Sequence, residues 1–327
     1  MPEVAMDTVS IPHADFALTR VGLGCWTLGR DYWGDDHDDD RAVRTIHAAL
    51  DTGINWLDTA PLYGKGHADT LVAKALNGRP DVIVATKVGV RWEGTASGHA
   101  ESDLHPAHIR EDCDASLHRL GRDRIDLLQV HWPCDHGAAF DDSVAALESL
   151  RDAGKVRAWG LCNYDAPTVA RARKLGSMST LQTPMSLLRR EFESALRDEV
   201  CRPDAHGHTV PALAYETLVR GLLTGRFRAL PRFPDTDQRS WDERFSGRRF
   251  VHARALIDDL ERVARKVGVP LPTLAVGWVL SRTGIGAAIV GARKPEQIVQ
   301  TARAAQLARR TKLWSVVDRV AAVHGGS

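Results

Sequence analysis

The sequence predicts a single α/β domain over residues 1–327, a (β/α)8 TIM barrel with an N-terminal β-hairpin and long loops at the C-terminal face. Three observations predict it. Short apolar runs that read as buried parallel strands alternate with longer segments of helical periodicity. There are eight such runs, the number that closes a parallel barrel, and 327 residues suffice for eight βα units with insertions. Glycine punctuates the ends of the helical segments, as at Thr52-Gly53, Leu120-Gly121 and Ala153-Gly154.

Taken in order, Val9-Ser10-Ile11, the turn Pro12-His13-Ala14-Asp15 and Phe16-Ala17-Leu18 read as a hairpin that plugs the barrel bottom. The strands are expected at residues 21–25, 54–57, 82–85, 125–130, 156–161, 180–182, 210–214 and 287–290. Between them, Ala42, Val43, Ile46, Ala49 and Leu50 share one helical face, and Val144, Leu147 and Leu150 share another. The acidic run from Asp35 to Asp40 suits a helix N-terminus and lacks the glycine-turned spacing of a calcium loop, so no metal is expected. Gly22-Leu23-Gly24 has no third glycine at the dinucleotide-fold offset, which excludes a Rossmann reading. Three stretches, 91–105, 133–140 and 227–249, exceed ordinary loop lengths and follow strands three, four and seven at the end where barrel enzymes place their loops.

The net charge of +1 gives no pull toward nucleic acid or an anionic membrane. No apolar run reaches the ~18 residues of a membrane span, and no basic-then-apolar leader opens the chain. A cytoplasmic protein is therefore expected, with a small molecule as partner and an oligomeric state that the sequence leaves open. The five cysteines are scattered without a CxxC pair, implying neither zinc nor a disulfide framework.

Four chemically distinctive residues sit at or just beyond the C-terminal ends of the second, third and fourth strands: Asp58, Tyr63, Lys87 and His131. Each alone admits a plainer role. The aspartate suits a helix cap, the lysine can snorkel to solvent, and the histidine can be a satisfied core residue. Together, side by side at one end of a barrel, they make a proton-transfer site. A phenol near pKa ~10 is a weak acid at neutral pH, and an adjacent ammonium is expected to lower that value and stabilise the developing phenolate. Lys87 supplies the ammonium, Asp58 pins it, and His131 is placed to orient a carbonyl oxygen. Trp33, Trp92, Trp132 and Trp241 gather at the same rim, each able to be core packing, and as a group reading as an aromatic substrate pocket.

Over essentially its whole length from Val21, the sequence resembles the aldo-keto reductase superfamily. The resemblance is carried by Gly53-Ile54-Asn55-Trp56-Leu57-Asp58-Thr59-Ala60-Pro61-Leu62-Tyr63-Gly64, by Ala85-Thr86-Lys87, and by Ile125 to His131. It continues through Gly160-Leu161-Cys162-Asn163, Gly221-Leu222-Leu223-Thr224-Gly225-Arg226 and Gly291-Ala292-Arg293. The resemblance implies NAD(P)H-dependent reduction of an aldehyde or ketone, with NADPH (oxidised to NADP+) as the expected cofactor, NADH as possible, and Tyr63 as the acid. It implies that Asn163 and Gln182 hold the nicotinamide carboxamide beside Cys162, with Gly24, Cys25, Trp26 and Asp58 at the same end. Tyr215 would stack on the ring next to Glu216. Leu218, Arg220, Leu223, Gly225 and Arg226 would wrap the pyrophosphate. Val290, Gly291, Arg293, Gln297 and Gln300 would meet the adenosine, Arg293 at its 2′-phosphate.

The chain departs from the family pattern in four places. Cys162 replaces the usual serine, Glu216-Thr217 replaces serine-proline, Gln300-Thr301 replaces Glu-Asn, and Pro184-Met185-Ser186 replaces an aromatic-and-asparagine stretch. Substrate expectations lean toward a sugar-like or small polar aldehyde, with Arg91 and Arg189 as candidates for an anionic tail. A cofactor-binding regulatory subunit on the same barrel, as ion-channel β subunits are, is the alternative reading, and net oxidation of sugars or alcohols a third.

Overall fold

The computed structural model describes residues 6–34, 36–92, 100–134 and 140–325. Eight parallel strands close a barrel: β1 Val21–Gly24, β2 Trp56–Asp58, β3 Ile83–Val88, β4 Ile125–Val130, β5 Val156–Cys162, β6 Met178–Pro184, β7 Ala212–Tyr215 and β8 Ile285–Gly291, with β8 pairing back to β1. The register sets Gly24 opposite both Asp58 and Gly291, Lys87 opposite Gln129, and Cys162 opposite Gln182. Strand ends that bear functional groups in the sequence are thereby brought level at one rim.

The principal helices are α1 Asp39–Asp51, α2 His67–Ala75, α3 Pro106–Leu120, α4 Phe140–Asp152, α5 Ala166–Leu175, α6 Gly247–Val267, α7 Leu271–Leu280, α8 Pro295–Ala302 and α9 Thr311–Val323. The acidic run begins α1 as expected: the Asp38 carboxylate accepts the Arg41 N–H at 2.8 Å, and Asp39 and Asp40 fill the first turn. Gly121 closes α3 at φ 62°. No single helix among the described residues is long and apolar enough to cross a membrane.

The hairpin forms between Thr8–Ser10 and Ala17–Thr19. Its Leu18 and Ile11 join Trp56, Leu127, Leu213 and Ile289 in the buried interior of the barrel, closing the bottom. Trp56 donates its indole N–H to the Thr19 carbonyl at 2.9 Å. A Cβ on Gly22 would lie 2.1 Å from the Trp56 ring, so this strand position has room only for hydrogen. A second apolar cluster fills the layer between strands and helices.

Two strand boundaries differ from expectation for one reason. The expected strand at 82–85 runs on to Val88, because Lys87 is buried and paired inside the strand. The strand expected at 54–57 is Trp56–Asp58, again closing on a buried charge. The stretch 227–249 is no plain loop: it holds two single turns, Gln238–Ser240 and Glu243–Phe245, and then begins α6. Val90–Arg91 and Glu101–Ser102 pair as a small antiparallel ladder within the stretch expected at 91–105.

Candidate active site

The site is built on three adjacent strands. Asp58 ends β2, Lys87 is the penultimate residue of β3, and His131 follows β4 with its backbone N–H bonded to the Val88 carbonyl at 3.0 Å. Tyr63 comes from the turn between β2 and α2. That turn is tight because Gly64 takes φ 64° and packs against the backbone of Gly29.

Lys87 Nζ is the hub. It lies 2.8 Å from Asp58 Oδ2, 3.0 Å from the Thr59 carbonyl and 3.1 Å from the Tyr63 hydroxyl. Burial would lower the lysine pKa, but Asp58 and the phenol beside it outweigh burial, and the ammonium is held charged. The phenol departs from the sequence expectation. Burial raises the Tyr63 pKa, Lys87 opposes this without reversing it, and Asp58 adds to the rise, so the proton is firmly held. His131 lies edge-on to Tyr63, ring centroids 5.9 Å apart. Burial first, and then the Lys87 charge, push its pKa far below the usual imidazole value, so the ring is neutral.

Around this hub the two side-chain amides are already engaged. Gln182 donates to Asp58 Oδ1 at 2.8 Å, and Asn163 donates to the His131 carbonyl at 3.2 Å while accepting the Tyr215 hydroxyl at 2.7 Å. Asn163 sits at φ 68°, a left-handed conformation that asparagine tolerates better than most residues. Burial pushes the Cys162 thiol up to about 12, and it donates to Gln182 Oε1 at 3.4 Å.

A cavity of about 990 Å³ opens over the hub. Asp58, Tyr63, His131, Cys162, Asn163 and Gln182 line its floor, with Gly24, Trp26 and Tyr215. It runs past Glu216, Leu218 and Arg220 to Arg226, Gly291, Arg293, Gln297 and Gln300. Not every expected residue faces it. Cys25, Leu223 and Val290 are buried in the strand–helix core, because their side chains point away from the cavity. Gly225 also stays outside, supplying a left-handed turn at φ 75° against Glu261 and Leu271. Trp33, Trp132 and Trp241 line the cavity, joined by Tyr32, whose ring lies 6.0 Å from that of Trp241. Trp92 is half-buried and does not line it. Arg91 is held by Asp103 and likewise stays outside, so it forms no anion clamp with Arg189. Arg189 lines the cavity and pairs with Glu216 at 3.3 Å.

Sequence reasoning missed a charge network on the far wall. Asp237 and Asp242 each cap a single turn, accept the backbone N–H two residues on, and pair with that same arginine's side chain, Arg239 and Arg244. Arg220 bridges Asp242 at 3.1 Å to Glu216 at 3.1 Å. The repeated Asp-x-Arg at 237–239 and 242–244 was the available signal, an Asx-turn with a ready cation. The Thr59 carbonyl could not be found, since no side chain advertises it.

Comparisons with known proteins bear on this site. Residues 20–322 match the model of the aldo/keto reductase family. The aldo-keto reductase YhdN of Bacillus subtilis is 36% identical over 90% of this chain and 87% of its own length. An NADH-specific methylglyoxal reductase of Escherichia coli is 31% identical over 90% of this chain and 91% of its own. The solved glycerol dehydrogenase of Gluconobacter oxydans superposes with a TM-score of 0.87 at 38% identity, covering 100% of this chain and 98% of that one.

Proposed function

This chain belongs to the aldo/keto reductase family and is an NAD(P)H-dependent oxidoreductase on that footing, and we propose that it reduces a small polar aldehyde or ketone to the alcohol with Tyr63 as proton donor. The observation that carries this reading is the 3.1 Å contact between the buried Lys87 ammonium and the Tyr63 hydroxyl on the floor of a large cavity.

The residues present fit a nicotinamide dinucleotide. Arg220 Nε lines the groove buried and without a hydrogen-bond partner among the described residues. Burial, and then the cations Arg239 and Arg293, push the Arg226 pKa down, opposed only in part by Asp237. An electropositive, partly desolvated stretch of this kind suits phosphates. Arg239 is neutralised by Asp237, so Arg226, together with Arg293, which pairs at 3.4 Å with the exposed Asp36, favours the extra phosphate of NADPH over NADH. Asn163 and Gln182 would hold the carboxamide, and Tyr215 would face the ring.

When bound, the nicotinamide supplies the hydride. His131, being neutral, donates an imidazole N–H to the carbonyl oxygen and fixes its direction toward Tyr63. Tyr63 gives its proton to that oxygen as negative charge grows there, and the phenolate left behind is stabilised by Lys87. Asp58 keeps Lys87 charged throughout. Trp26 stacks on Tyr63 with centroids 6.2 Å apart and covers one face of the phenol ring. The elevated phenol pKa suits this role, since the proton stays in place until a strongly basic oxygen draws it. The aromatic rim and polar floor support a small polar substrate, and the names of two relatives, a methylglyoxal reductase and a glycerol dehydrogenase, agree with that class.

The test is a steady-state screen of short aldehydes, ketones and sugars with NADPH and NADH, followed by cofactor absorbance. Tyr63→Phe is expected to lose turnover by about 10²–10⁴-fold while its NADPH fluorescence titration is unchanged. A Tyr63→Phe enzyme with undiminished kcat would refute the assignment.

A further inference from the structure

We propose that His13, Asp204 and His208 form a binding site for a divalent transition-metal ion of the zinc type, at the end of the barrel opposite the cavity. His13 lies in the turn of the N-terminal hairpin. Asp204 and His208 lie in the connection that leads into the N-terminal end of β7. The site therefore joins two segments far apart in sequence, both on the barrel bottom.

The geometry favours an ion over direct hydrogen bonds. Asp204 Oδ2 lies 3.8 Å from His13 Nε2 and 3.6 Å from His208 Nδ1. Both separations are too long for a hydrogen bond. They are close to the roughly 3.4 Å edge of a tetrahedron whose metal–ligand bonds are those of zinc with imidazole and carboxylate. All three ligand atoms fall within 4.8 Å of one another, and the imidazoles meet edge to face with centroids 5.1 Å apart.

The carboxylate is oriented in advance. Its other oxygen, Oδ1, accepts the backbone N–H groups of His206 and His208, each at 2.8 Å, which leaves Oδ2 to face the two rings. The Asp204 N–H in turn bonds the His208 carbonyl at 2.8 Å, closing the loop on itself. Such supporting bonds to a ligand are what fix a metal centre's shape. From α4, Arg151 and Glu148 face His13, but they pair with each other at 2.9 Å and present no net charge.

Two imidazoles and one carboxylate select zinc, cobalt, nickel or copper over magnesium and calcium. With the three side chains 25%, 23% and 48% exposed, a water completes the coordination. The ion would clasp the hairpin turn to the loop before β7, so its effect is on the stability of the barrel bottom and not on the chemistry above.

The experiment is calorimetric titration of the full-length chain with Zn2+, paired with melting curves at saturating metal and with the visible spectrum after Co2+ addition. One equivalent is expected to bind, to raise Tm and to give the absorption of tetrahedral cobalt with nitrogen and oxygen ligands. His13→Gln and His208→Gln are each expected to weaken binding by more than about tenfold and to abolish the rise in Tm, with reductase turnover in the absence of metal unchanged. No saturable binding, or binding that both variants retain undiminished (which would assign it to thiols such as Cys134 or Cys201), overturns the proposal.

Discussion

Lys87 places a full positive charge where only 1% of its surface meets solvent. Taking an ammonium out of water costs several kcal/mol, and the structure offsets this with three partners within 3.1 Å. An apolar residue there would leave the buried Asp58 carboxylate without its cation, so the two charges stand or fall together. His131 illustrates the same tension with the opposite protonation. Its folded pKa is depressed by burial and by Lys87, whereas in the unfolded chain it titrates near pH ~6.5. Below that value the unfolded state takes up a proton that the folded state refuses, so stability falls as pH drops through about 6.5. Urea unfolding from pH ~8 to ~5 should show this slope, and His131→Asn should flatten it; equal slopes in the two proteins would mean that the ring is not buried neutral.

At the scale of elements, the turn carrying Tyr63 is fixed by two glycines. A Cβ on Gly64 would stand 1.8 Å from the Gly29 carbonyl oxygen, and one on Gly29 would stand 2.7 Å from the Tyr63 carbonyl carbon. Gly64→Ala must therefore part the two loops and carry Tyr63 off Lys87. Gly78 is the control, with φ 77° and nothing within 4 Å of its Cβ position. Gly78→Ala is expected to lose only the left-handed backbone term of about 1–2 kcal/mol at full kcat. Gly64→Ala should lose more stability and most of its kcat, and equal behaviour of the two would show that the loop contact does not position the phenol. Strand identity was legible from apolar runs alone, but strand ends were not. Asp58 and Lys87 broke the hydrophobic pattern because they form a buried ion pair, and an apolar-run reading stops at a charge. The same residues marked the candidate site, which is why the cluster of Asp58, Tyr63, Lys87 and His131 could be anticipated while the Thr59 carbonyl could not; the Glu216 network left only the repeated Asp-x-Arg as its trace.

In the whole molecule, chemistry and stability occupy opposite ends of one cylinder. The hairpin was legible from its turn and its alternating strands, and Leu18 ends fully buried beneath the barrel interior. Leu18→Ala is expected to destabilise the protein by about 2–5 kcal/mol, measured by urea unfolding, with kcat per folded molecule unchanged. A fall in kcat at full folding would mean that the bottom of the barrel shapes the cavity. The aromatic rim was legible only in part. Trp33, Trp132 and Trp241 reach the cavity and Trp92 does not, because loop direction is set by contacts such as Arg91 with Asp103 that composition does not reveal.

The pairing of β8 with β1 has a further consequence. Each of the eight strands is flanked on both sides, and the two small antiparallel pairs outside the ring are only two or three residues long. Among the described residues the native fold thus offers no long open edge on which a foreign strand could add. Fibril growth would have to wait for global opening of the chain, so its onset should follow the unfolding rate and not the concentration of folded protein.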